Sequence, residues 1–434
     1  MSTTEAALAA PAETSESIYN RIFWLSFTAN TSLVTANALT FRFAELVSYL
    51  GGTEETSGSI VGIGMIGAIM ARLLLGQGID HFGVKKVWPA MSILFVLSCF
   101  LFLVVTELTW MIYFARIIFA VGLAGMFTCS MVHIQQQVPA HRRTEVLGIL
   151  GTSGFIGMVL GTQLGDAIFN TLPEGRTQFL ALFSSATALG LFYILSVRLL
   201  TRRDNHNRPH QTHAAHRLIF RYWPGNVVFV AIMMGVSFTV ISVFLTRFAT
   251  TLGLSGIGTY FAAFSVFAFF TRVIGRGWSR TIGRHRLILM GLGGQCLGFV
   301  LFPFVTTGWH LIFPAIACGF GHALLFPSVV SLGTEVFPRP FRGSGTTIIL
   351  GFTEVGAMLS ARPLGWLIDN VSFDAMFFSA AGMAALIGLL YALTSTRRHD
   401  TDLAYSEDKV VLSEDKTADE EAEAVPFPQL GRNA

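Results

Sequence analysis

Three ionisable residues, Arg116, His322 and Glu354, stand inside stretches of this chain that are otherwise nearly free of charge. The stretch from Leu287 to Thr334, which holds His322, has no Asp, Glu, Lys or Arg at all. A group in such a setting is costly unless it is neutral, paired or wet. A carboxyl turns neutral by taking up a proton and an imidazole by giving one up, so Glu354 is the better proton carrier and His322 a second titratable group. Arg116 keeps its charge and can only orient or repel. The alternative leaves Glu354 protonated on a neighbouring backbone or hydroxyl group and His322 a neutral liner. Other chemistry finds little support. Cys99, Cys129, Cys296 and Cys318 fall in apolar runs without the Cys-x-x-Cys spacing of zinc or redox sites. Gly62-x-Gly64-x-x-Gly67 fits a dinucleotide fingerprint only as a string, since no strand precedes it. No Walker sequence occurs, so work done by this protein must draw on a gradient. Neither a metal nor a cofactor is expected.

The elements that must position these residues follow from composition. Of 434 residues, 52% are hydrophobic and 13% charged, a charged share about half that of a soluble chain. The apolar residues gather in runs that match the roughly 20 helical residues needed to cross a bilayer core. Spans are expected near 22–41, 58–79, 87–106, 109–134, 146–168, 177–197, 225–247, 256–275, 287–305, 309–331, 345–367 and 373–395. Connections after even-numbered spans carry Lys85 and Lys86; Arg142 and Arg143; Arg202, Arg203 and Arg208; Arg280, Arg284 and Arg286; and Arg339 and Arg342. The odd-numbered connections hold Glu54, Glu55, Glu107, Glu174 with Arg176, and Asp374. The positive-inside rule therefore puts the even connections and both termini in the cytoplasm. A net charge of +3 is too small for a nucleic-acid footprint. Residues 1–18 lack a basic n-region, so no cleaved signal peptide is expected.

The chain divides into a cytoplasmic N-terminal segment (1–21), a six-helix bundle (22–199), a cytoplasmic linker (200–221), a second six-helix bundle (222–396) and an acidic disordered tail (397–434). His206, His210, His213 and His216 in the linker read as solvated residues, for want of an accompanying carboxylate or cysteine. The halves repeat. A shift of 200 residues puts Arg72 on Arg272, Gly83 on Gly283, Lys86 on Arg286, Gly151 on Gly351, Met158 on Met358 and Leu164-Gly165 on Leu364-Gly365. The expected fold is thus an all-α integral membrane protein with twelve transmembrane helices in two pseudo-symmetric six-helix bundles, a parallel repeat suited to alternating access.

Span 2 ends in Arg72-Leu-Leu-Leu-Gly76-Gln-Gly78-Ile-Asp80-His-Phe-Gly83-Val-Lys85-Lys86. This resembles the signature loop of the major facilitator superfamily, G-x-x-x-D-R-x-G-R-[RK]. It keeps Gly76, Asp80, Gly83, Lys85 and Lys86, and has His81 where Arg is usual. The second copy has Arg280 in the acidic position, so only the first half retains the carboxylate. In span 4, Arg116 to Gly122 is similar to the family's buried-arginine motif, with Ala120 in place of a glycine. In span 5, Gly148, Gly157, Gly161 and Gly165 follow the spacing of the antiporter motif, with Thr162 replacing its proline and Asp166 its last glycine. Arg72 and Arg272 are expected to snorkel toward the cytoplasmic face.

The resemblance implies a secondary transporter, not an enzyme, that moves a small organic solute by alternating access. Proton-coupled efflux is the leading expectation, uptake by symport or uniport the alternative, and a non-transporting receptor or membrane-embedded enzyme the competing class. It implies a cavity lined by spans 1, 4, 7 and 10, with Asn30 and Asn37 from span 1, Arg116 from span 4 and His322 from span 10. Asp80 would be a cytoplasmic latch, so that Asp80→Asn inserts normally and transports poorly. The implied partners are the small-molecule substrate, a proton and the lipid bilayer, with no nucleic acid. The implied setting is a monomer in a plasma or bacterial inner membrane.

Overall fold

The computed structural model describes residues 20–137, 143–202, 215–337 and 342–395. Helices start where the sequence supplies a cap. Asn20 accepts hydrogen bonds from the backbone of Ile22 and Phe23, both at 3.0 Å, and opens α1 (Arg21–Leu39). A 3-10 turn, Thr40–Arg42, then leads into a further helical segment, Phe43–Tyr49. Thr53 caps α2 (Glu54–Phe82). Gly83, with φ of 81°, makes the tight turn into α3 (Val84–Val104). There follow α4 (Trp110–Gln137), α5 (Arg143–Thr171) and α6 (Arg176–Leu200).

A short helix, Ala215–Arg221, precedes the second half. There α7 runs as Val227–Thr239, a π-helical stretch Val240–Phe244, and Leu245–Thr251. Next come α8 (Gly258–Ile274), α9 (Arg284–Leu301), α10 (Ile312–Glu335), α11 (Arg342–Asn370) and α12 (Phe373–Thr394). Gly283, with φ of 90°, repeats the turn of Gly83 between α8 and α9. The breaks in α1 and α7 also correspond, 40–42 against 240–244.

Among the described residues eight helices are long and apolar enough to cross a membrane by length and composition alone. The four others, α1, α5, α8 and α11, break, carry charge or stop short, and it is chiefly these that hold the polar contacts described below. All described regular structure is helical, the form in which a single segment satisfies its own backbone in lipid. The helices outrun the apolar runs that announced them, because polar residues such as Glu54, Glu55, Asp166 and Asp369 extend them at one end. Large apolar side chains such as Ile66, Met70, Leu74, Leu195 and Leu199 point outward from the bundles.

Within the first half α1 packs on α5 and α6, and α4 on α2 and α3; α7 with α11, and α10 with α8 and α9, repeat this in the second. The halves meet along two seams, α2 against α11 and α5 against α8. The end of the molecule where α1 starts and α12 finishes is here termed proximal, and the opposite end distal.

Candidate functional site

Two layers of polar side chains cross the seams. At mid-depth, Arg72 of α2 does not snorkel. Its Nε donates to Glu354 Oε1 of α11 at 2.6 Å, and an Nη lies 3.5 Å from the Thr128 hydroxyl of α4. The side chains are 13% and 12% exposed. Snorkelling loses because a carboxylate on the facing helix offers the guanidinium a partner within reach. Glu354 Oε2 is buried with no hydrogen-bond partner among the described residues. One turn before Glu354, a Cβ built on Gly351 would lie 3.9 Å from Arg72 Cδ.

The other seam carries the second arginine in a different setting. Arg272 of α8 also turns inward, its guanidinium 4.7 Å from the ring of Phe155 and 5.8 Å from that of Phe326. Its Nε is buried without a partner among the described residues. A Cβ on Gly151 would lie 3.8 Å from Arg272 Nη1, and one on Gly154 would meet nothing within 4 Å. His322 packs its ring near Phe264 and Phe326, at 5.7 Å and 5.9 Å.

The distal layer is a set of clasps. Asp166, on α5, accepts from Arg42 at 2.6 Å and from the backbone N–H of Gly258 at 2.6 Å, at the start of α8. Arg42 also pairs with Glu45 at 2.8 Å and lies 4.1 Å over Phe169. On the other seam Asp369, on α11, accepts from the N–H groups of Glu54 and Glu55, at 3.0 Å and 2.7 Å, at the start of α2. Each carboxylate thus caps the N-terminus of a helix in the other half, where the helix dipole favours negative charge. Arg247–Glu54 at 2.5 Å and Arg362–Glu55 at 3.0 Å add cross-half ion pairs. These contacts clasp the two halves together at the distal end along both seams.

Of the residues singled out in the sequence, the structure brings Glu354 to Arg72 and His322 to the aromatic group around Arg272. Arg116 lies elsewhere, buried inside the first half between the rings of Phe43 and Phe119, each 4.8 Å from its guanidinium carbon. Asn30 donates to Ser153 at 2.6 Å, joining α1 to α5. Asn37 is half-buried and makes no side-chain hydrogen bond among the described residues. Gly157 and Gly161 let α5 lie backbone-close to α1: a Cβ on Gly157 would come 2.6 Å from the Thr31 carbonyl, and one on Gly161 would overlap that of Thr35. Gly165 faces Arg42. Lys85 donates to the Arg202 carbonyl at 3.0 Å, and Lys86 is exposed. Gly76 and Asp80 in α2 and Gly148 in α5 lie outside the residues whose surroundings are described, as do the linker histidines and the acidic tail.

Sequence reasoning missed Asp166, Asp369, Arg42 and the role of both repeated arginines. Asp166 was visible as a departure from the glycine motif, and Arg72 and Arg272 as a repeat. Nothing in one dimension joins position 72 to 354.

Twelve helices in two repeated bundles, clasped together at one end and joined further in by a largely buried ion pair, are the architecture of a membrane transport protein. The family model of the Major Facilitator Superfamily matches residues 22–361 and 227–431, and the chain belongs to that family. Among curated relatives, the inner membrane metabolite transport protein YgcS of Escherichia coli is 23% identical over 80% of this chain and 84% of that protein. The tetracycline resistance protein, class D, of Salmonella ordonez is 22% identical over 74% of this chain and 80% of its own. Among solved structures, a point mutant of the nucleoside transporter NupG superposes with a TM-score of 0.72 at 13% identity, covering 87% of this chain and 100% of that one. A D-xylose-proton symporter gives 0.70 at 17%, covering 85% and 96%. These likenesses show the fold.

Proposed function

We propose that the protein is a proton-coupled secondary transporter that exports a small organic solute by alternating access, with Glu354 as the proton carrier. The observation that carries this reading is the buried Arg72–Glu354 pair, which ties one half to the other through a carboxylate whose second oxygen is free to take a proton. Protonation of Glu354 removes the charge that holds Arg72 and loosens the α2/α11 seam at mid-depth; loss of the proton restores it. Opening at one depth then competes with the distal clasps for the same relative movement of the two halves. By the positive-inside rule the distal end is external and both termini are cytoplasmic, which makes the described state the one closed to the outside. Export is supported by the close α1/α5 packing at Gly157 and Gly161, the part of the antiporter-like motif this chain retains.

The test is solute-induced proton movement in proteoliposomes, read with an entrapped pH-sensitive dye across a panel of organic solutes. The expected result is proton entry on solute exit in wild type and none in Glu354→Gln. Co-movement of solute and proton in the same direction would reverse the export assignment and make the protein a symporter. A reporter fused after Thr396 is expected in the cytoplasm and one at Gly52 outside; protease access to the tail from outside intact cells would invert the orientation.

A further inference from the structure

We infer that the α5/α8 seam at Arg272 is the place where the carboxylate of the solute binds, and that the solute is a small monoanion with an apolar or aromatic body. This rests on the transporter reading above and names its substrate class. The argument is a comparison of two copies of one device. Arg72 and Arg272 correspond under the 200-residue shift, as do Gly351 and Gly151. Each arginine lies against its glycine, Arg72 through Cδ, 3.9 Å from a Cβ built on Gly351, and Arg272 through Nη1, 3.8 Å from one built on Gly151. Three residues further along the same helix face, α11 carries Glu354 and α5 carries Gly154. The space that a side chain would enter at Gly154 is open for at least 4 Å. The second copy is therefore the ion pair of the first with the acid removed.

An arginine left in that position requires an anion to complete it. Its Nε is buried and unpartnered among the described residues, and stacking on Phe155 satisfies the face of the guanidinium but not its in-plane N–H groups. The planar fork of donors suits a carboxylate. One cation sets the charge at one: a dianion would leave a surplus charge in a partly buried site. The rest of the ligand is specified by the neighbours. Phe155, Phe326 and Phe264 supply aromatic surface, with the His322 ring among them. A neutral amide of the same shape would leave Arg272 uncompensated.

The experiment is equilibrium binding of radiolabelled benzoate to the purified full chain in detergent, with benzamide and phthalate as competitors. Unlabelled benzoate is expected to compete, benzamide not to, and phthalate at least about tenfold more weakly. Arg272→Gln is expected to weaken benzoate binding by about tenfold or more. Gly154→Glu, which returns the missing acid to the chain, is expected to do the same while keeping the wild-type melting temperature. Should Gly154→Glu fail to fold, Arg272→Gln and the competition series decide alone. Wild-type affinity in either variant, equal competition by benzamide, or no binding of benzoate, phenylacetate or butyrate overturns the inference. Binding is read without a gradient, so a transporter that proves uncoupled from protons would sink the proposed coupling and leave this site standing. Proton-coupled flux without carboxylate binding would do the reverse.

Discussion

At mid-depth the α2/α11 seam joins Arg72 to Glu354, whereas the α5/α8 seam sets Arg272 against Phe155 with open space at Gly154. At the distal end the same two seams are alike, each closed by an aspartate on the N-terminus of a helix across the boundary. The contrast separates two demands on a duplicated transporter. Closing an end calls for matched contacts on both sides of the pseudo-twofold axis. Coupling a solute to an ion, as proposed above, calls for two different sites, and the two seams differ by Glu354 against Gly154 at equivalent positions.

The largest effect that would sharpen this comparison is at Glu354. Replacement by Gln is expected to bring proton-driven flux to background while exchange of solute down its own gradient persists slowly, as measured by counterflow in proteoliposomes. Full gradient dependence in that variant would leave Glu354 a neutral hydrogen-bonding group. Next come the two arginines, whose removal should differ in sign. Arg72→Met strands Glu354 and is expected to lower unfolding stability by about 3 kcal/mol, whereas Arg272→Met removes a half-buried cation with no ion-pair partner among the described residues and is expected to be neutral or stabilising. Equal destabilisation in a denaturant titration would break the distinction between the seams.

The distal clasps should respond more modestly and alike. Asp166→Asn and Asp369→Asn each weaken charge-assisted hydrogen bonds worth about 1.5–3 kcal/mol, and each is expected to raise the distally open population about tenfold or more. Distances between spin labels at Thr171 and Leu252 would report it. Asp166 should have the stronger effect, because it also holds Arg42. The smallest expected effect is in packing. Gly161→Ala, against the Thr35 carbonyl, should cost about 1–3 kcal/mol, and Gly154→Ala, facing open space, close to nothing. Thermal melting of the two variants side by side distinguishes them.

The twelve helices were legible because lipid forces charge-free runs of fixed minimum length, and the pairing of halves because a 200-residue shift kept returning the same residues. The helix ends were less so. Positions 54, 166 and 369 are polar and looked like loop or motif noise, yet they sit where α-helix continues past the apolar run and one half touches the other, and Arg42, in the turn that breaks α1, backs Asp166. The broken turns at 40–42 and 240–244 left no mark in composition. Arg72 and Glu354 were each visible as charged residues, but their pairing spans 282 positions and needs the fold to bring it about. The shift that aligned Arg72 with Arg272 also sets Gly154 opposite Glu354. That contrast gains meaning only once the arginines are seen to face inward.

The two distal aspartates do the same work from positions that do not correspond. Under the shift that aligns Gly165 with Gly365, Asp166 falls on Trp366 and Asp369 on Phe169, so neither acid occupies its counterpart's position. The helix starts are displaced in step: α2 begins at Glu54 and α8 at Gly258, four residues, or about one turn, later than the shift would place it. Each acid thus stands three residues from its counterpart's position, in step with the displaced helix N-terminus that it holds, so the two halves share the contact without sharing the residue that makes it.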